Sequence, residues 1–213
     1  MNGTFRDINK LSATLKFLLG AGAFWSIVLL WSAWLQYELL SRSSFSVEEA
    51  TANDTRERLL ARVFLVLYLL TLVVFARWIY RANQNVRALG AEELRFSPGW
   101  AVGYFFVPVV ALWYPYQAMK DLWRASKDAR GWQAVPPGWI LGPWWTLWII
   151  AGILGQISLR VSLAAKDIET LQVATVIDLI ANLVDVPLNI AALVLVSQIQ
   201  IAQAERTAVE VFA

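Results

Sequence analysis

The sequence contains no cysteine and no histidine among its 213 residues. Those absences exclude disulfides, thiol nucleophiles, imidazole bases and haem-type ligation, and with them most zinc sites. Charge is also scarce, at 16% of residues, against about 25% in a soluble domain. An active site would have to be assembled from carboxylates, lysine, Ser/Thr or tyrosine. Ser97 and Lys120 flank one segment without a nucleophile–base spacing, and Glu48, Glu49 and Asp54 lack the alternation of a calcium loop. The chain therefore reads as a non-enzyme, with no catalytic, cofactor-binding or metal-binding residues.

What is present is apolar sequence in long runs. Hydrophobic residues make up 58% of the chain, and the mean hydropathy is +0.52. Uninterrupted runs, rather than helical or strand spacing, are the signature of a membrane protein. The expected fold is an all-α integral membrane protein, a single polytopic domain over residues 1–213, with spans at about 15–40, 59–80, 142–163 and 171–201. Residues 41–58 are polar, without apolar periodicity, and read as a loop. The second helix is expected to run on to Gly90, a natural C-cap. Gly20, Ala21, Gly22 and Ala23 form a smooth patch where another helix can approach. The net charge of +2 comes from loops beside the membrane. It points to a lipid bilayer with anionic headgroups as partner and not to nucleic acid.

Residues 96–119, FSPGWAVGYFFVPVVALWYPYQAM, are long and apolar enough to cross a bilayer, yet carry Pro98, Pro108 and Pro115. If this run crosses, giving five transmembrane helices, the 18 basic residues divide evenly between the two sides. If residues 97–119 enter and leave on one side, the division becomes twelve against six, with both termini on the basic side. The positive-inside rule favours the second arrangement and makes that side cytoplasmic. Pro108 removes a backbone donor and disfavours helical geometry at Val107. The expectation is four transmembrane helices plus a Pro-broken re-entrant or interfacial helical hairpin.

Residues 78–126 carry a run of distinctive pieces: Arg81-Ala82-Asn83-Gln84-Asn85, Leu89-Gly90, Phe96-Ser97-Pro98-Gly99-Trp100, Phe106-Val107-Pro108, and Pro115-Tyr116-Gln117-Ala118-Met119. This stretch resembles the signature of the bacterial domain-of-unknown-function 4328 family. Members often carry Asn near the position of Ala111 and a basic residue at that of Tyr114, where this chain is apolar or aromatic. The resemblance implies a multi-pass protein of a bacterial plasma membrane and brings no assigned activity. Within the signature, Asn83, Asn85 and Gln117 are amides that could satisfy open backbone around Val107, and Gly99 and Gly103 suit close packing.

One further pattern carries chemistry. Asp178, Asn182, Asp185 and Asn189 fall within an arc of about 60° on the last helix, forming a polar stripe at membrane depth. Such groups mark an ion pathway or relay, or they bond across the bundle and hold it together. Arg160 is a partner for Asp178 if the last two helices form a hairpin. The leading expectation is a non-enzymatic scaffold or interaction component, with a second copy or other membrane proteins as partners. The alternative is a small transporter or channel subunit for protons or cations using Asp178 and Asp185.

Overall fold

The computed structural model describes residues 5–211. Six α-helices follow in order: α1 (Asn9–Leu40), α2 (Val47–Ala88), α3 (Pro98–Gly103), α4 (Tyr114–Lys127), α5 (Leu141–Ala164) and α6 (Ile168–Val211). Three short 3-10 turns join them, at Tyr104–Phe106, Val110–Leu112 and Trp132–Ala134. There are no strands among the described residues. Four helices, α1, α2, α5 and α6, are long and apolar enough to cross a membrane. They contain the four expected spans, and α2 and α6 extend well past them, with 42 and 44 residues. At ~1.5 Å per residue both exceed ~60 Å, about twice a hydrocarbon core, so each carries polar turns beyond its apolar run.

The reading of residues 41–58 as a loop is corrected, because α2 begins at Val47. The cause is a capping box. Ser46 Oγ accepts from the Glu49 backbone N–H at 3.1 Å, and Glu49 Oε2 accepts from the Ser46 N–H at 2.7 Å. At its other end α2 closes as expected. Gly90 takes φ +90°, its N–H donates to Arg87 O, and the Ala91 N–H donates to Val86 O. That is a Schellman termination, which favours glycine at the left-handed position.

Residues 97–119 do not form one helix. Ser97 caps α3 by accepting from the Trp100 N–H, with Pro98 at its start. The chain then breaks around Pro108, where Val109 adopts φ +65°, a conformation costly for a β-branched residue. The break is satisfied locally: Val110 N–H donates to Pro108 O at 2.7 Å and Ala111 N–H to Val107 O at 2.8 Å. The result is a helical hairpin broken at proline, and no fifth long helix supports the five-helix alternative among the described residues.

The residues cluster into two compact units, where the sequence reads as one domain. Unit 1 comprises residues 1–18, 71–145 and 191–213; unit 2 comprises 19–70 and 146–190. Unit 1 holds a well-buried core of Leu15, Trp78, Ile79, Val86, Met119, Leu122, Leu141, Trp144, Leu195 and Ile199. In unit 2, α1 and α6 run antiparallel: Gln36 Nε2 donates to Thr175 Oγ1 at 2.9 Å, and Gln172 Nε2 donates to Leu40 O at 2.7 Å. Further along the same pair, Asn189 meets Gly22 so closely that a Cβ there would lie 2.7 Å from the amide oxygen.

Gly90→Ala is expected to cost about 1–2 kcal/mol, the strain of a left-handed L-residue, read as a lower unfolding midpoint in mild detergent. Gly99→Ala serves as the contrast, because no atom lies within 4 Å of the added Cβ; its midpoint should stay within ~0.5 kcal/mol of the parent.

Candidate functional site

The polar stripe on α6 opens onto a cleft in unit 2. The cleft has a volume of about 300 Å³ and takes lining from all four long helices: Leu29, Ala33 and Gln36 of α1; Glu57, Ala61 and Phe64 of α2; Gly155 and Ser158 of α5; and Thr175, Asp178, Ala181, Asn182 and Asp185 of α6. Helical spacing explains why these residues share one space. On α1, Leu29, Ala33 and Gln36 repeat every three or four residues, as Asp178, Ala181, Asn182 and Asp185 do on α6.

The stripe's members have different surroundings. Asp178 accepts a hydrogen bond from Ser158 Oγ on α5. Asn189 turns its amide back to donate to the carbonyl of Asp185 at 2.8 Å and packs on Gly22. The side chains of Asn182 and Asp185 face the cleft with no hydrogen-bonding protein partner among the described residues. The expected Arg160–Asp178 ion pair does not form. Arg160 lies two residues beyond Ser158, about 200° around the helix, and is exposed.

Glu57 is a third carboxylate in the cleft that the sequence reading missed, because it lay within the presumed loop. Its Oε1 accepts from Ser32 Oγ and, at 3.3 Å, from Arg56. Arg56 also donates to Asn53 Oδ1 at 2.6 Å and to Ser32 Oγ at 2.8 Å, and Asn53 donates to Gln36 Oε1 at 3.3 Å. One end of the cleft is thus a polar network shared by α1, α2 and α6. No group of three or more His, Cys, Asp or Glu side chains is arranged to hold a metal ion among the described residues.

The signature residues lie in unit 1. Asn83 donates to Ile79 O. Asn85 exchanges hydrogen bonds with the Arg6 backbone and donates to Gln203 Oε1 at 3.2 Å. Gln203, buried on α6, donates in turn to Ala82 O and Ser126 Oγ, each at 3.1 Å. These amides bond elsewhere than Val107, contrary to the expectation. Arg81 donates to Gln84, and Pro115 sits in the first turn of α4. Lys120 Nζ lies 5.7 Å from the Tyr116 ring centroid. Gly99 meets nothing and Gly103 meets only Trp100 of its own helix, so neither supports a close helix crossing.

The base of the hairpin is clamped. Arg95 donates from Nε and Nη2 to both oxygens of Asp121, at 2.7 and 2.6 Å, and from Nη1 to Gln117 Oε1 at 2.7 Å. The hydrogen bonds to Asp121 hold the guanidinium above its ordinary pKa. Along the hairpin Trp100, Phe106, Val109, Leu112 and Trp113 are exposed.

Fold and site together define an all-helical protein built on four helices long and apolar enough to span a membrane, with carboxylates set among them. The chain belongs to the family described as Domain of unknown function (DUF4328), whose model matches residues 41–201. No curated protein and no solved structure matches it.

Arg95→Met leaves Asp121, only 3% exposed, without its counter-charge. The expected loss is about 2 kcal/mol, below the range for a fully buried pair because the Arg95 side chain is 42% exposed. Adding Asp121→Leu should recover most of that loss, read by thermal unfolding in detergent.

Proposed function

We propose that this chain is a non-enzymatic multi-pass protein of a bacterial plasma membrane that offers protons or a small monovalent cation an intramembrane site at Asp178 and Asp185. The observation that carries this reading is the pair Asn182 and Asp185, which face the cleft without protein hydrogen bonds. Polar side chains serving only as interhelical glue would be bonded to a neighbouring helix, as Asp178 is to Ser158. An ionisable group left facing a cavity at this depth needs water or an ion instead. Asp185 lies ten residues along α6 from Thr175, about 15 Å in.

Both termini are cytoplasmic in this proposal. Unit 1 carries twelve basic and seven acidic residues, a net +5, whereas unit 2 carries six and nine, a net −3. The loops of unit 1 therefore take the cytoplasmic side under the positive-inside rule. A second reading, a scaffold whose hairpin engages the membrane surface, draws on the hairpin's exposed aromatic residues and the basic Arg95 and Lys120 at its base. Between Glu93 and Asp121 there is no acidic residue, which suits insertion into an anionic leaflet.

Flux into vesicles decides the first reading. Purified protein is reconstituted with a trapped pH dye, and a potassium diffusion potential drives protons inward; sodium entry is followed in parallel. Wild type should exceed protein-free vesicles in one of the two assays, and Asp185→Asn should lower that flux at least ~10-fold by removing the site's charge. Wild-type flux no greater than the protein-free control in both assays would overturn it. For the hairpin, single cysteines at Ser97 and Lys127 should both resist an impermeant maleimide until cells are lysed. Labelling of only one in intact cells would mean that the segment crosses.

A further inference from the structure

The two ends of the cleft differ, and the difference assigns a direction. At one end stand Gln36, Asn53, Arg56 and Glu57, all polar; the side chains of Arg56 and Glu57 are 35% and 31% exposed, so solvent reaches them. This end lies beside the start of the apolar run of α2 at Leu59. At the other end Asn189 is fixed from two directions. Its Nδ2 donates to Asp185 O at 2.8 Å, and its Oδ1 sits against Gly22, where a single added methyl would fall 2.7 Å away. Only a glycine on α1 lets the amide come so near, and a contact that close draws α1 and α6 together at this end.

Charge adds a preference. Glu57, Asp178 and Asp185 line the cleft, while Arg56 sits beside Glu57 and is already engaged by Ser32 and Asn53. A cavity with apolar walls and an excess of one sign concentrates counter-ions and repels co-ions.

We infer that the cleft is a one-ended vestibule: it fills through the Gln36–Asn53–Arg56 end, is stoppered by the Asn189–Gly22 contact, and admits small cations in preference to anions. Asp185 is then the deepest carboxylate reached from that mouth, and Asn189 is a positioning residue that keeps the other end shut. This deepens the proton or cation reading and rests on it for the identity of the occupant. The geometry of access stands by itself.

The absence of cysteine allows a direct test on the full chain. A single cysteine replaces Ala181, which lines the cleft, and sealed vesicles of known orientation are treated with two thiosulfonates of similar size, one a quaternary ammonium and one a sulfonate. Ala181→Cys should react from the side opposite the termini only. After correction for intrinsic reactivity, the cationic reagent should be faster by at least ~10-fold. That ratio should fall towards unity when Asp178→Asn and Asp185→Asn are added. Removing the stopper with Asn189→Ala should let the cytoplasmic reagent reach the same cysteine. Reaction from the cytoplasmic side with Asn189 intact, equal rates for the two reagents, or no reaction from either side would each overturn the vestibule, whether or not Asn189→Ala folds. Selective labelling without ion flux would retain the vestibule and end the transport reading, whereas flux without labelling would end the vestibule alone.

Discussion

Polar groups inside an apolar helical bundle have no bulk water to bond, so each must find a partner in the protein or line a space that something else fills. The arrangement of this chain follows from how that constraint is met at each polar position. In unit 1 it is met by protein. Gln203 spends its amide on Asn85, Ala82 and Ser126, Trp78 donates to Ser12 at 2.9 Å, and Trp132 donates to Glu92 O at 2.9 Å. Even the proline break in the hairpin closes its backbone locally. Polar cores bonded in this way are rigid and specify one packing, although three buried atoms of unit 1, Arg87 Nε, Arg124 Nε and Gln200 Oε1, have no hydrogen-bond partner among the described residues.

In unit 2 the constraint is met at the cleft's two ends and not between them. Gln36 with Thr175 and Gly22 with Asn189 fix α1 against α6 at separated points. The stretch between carries Asp178, Asn182 and Asp185 on one side and small or apolar residues, Ala33 and Leu29, on the other. Short side chains opposite carboxylates leave room rather than partners. Helices pinned at two points across unequal side chains cannot close on each other along their whole length, which is why a cavity persists among residues of unit 2.

The sequence disclosed the four long helices because their apolar runs exceed the thickness of a bilayer core, and Pro108 marked where the helical run of residues 97–119 breaks. The face shared by Asp178, Asn182 and Asp185 was legible from helical spacing alone. What escaped notice depended on weaker local signals. The first turns of α2 are polar all round, so no periodicity announced them; the Ser46–Glu49 capping box was the available sign, and overlooking it hid Glu57. The Arg160–Asp178 pairing failed on rotation rather than depth, since depth can be estimated from position along a run while the facing side depends on how α5 and α6 meet. Gly22 belongs to a smooth patch in the sequence, and the structure shows that Asn189 packs against it.

Hydration of the cleft is the central claim. It can be read directly by hydroxyl-radical footprinting of the protein in lipid nanodiscs, because radicals form in water and modify only side chains that water reaches. Phe64 lines the cleft and is 37% exposed, whereas Phe24 lies on α1 outside it and is 64% exposed, and both belong to apolar runs. Oxidation of Phe64 well above that of Phe24 is the expected result, because one ring borders water and the other lipid. Equal protection of the two rings would mean a dry cleft, and with it the case for an ion or proton site at Asp185 would be lost.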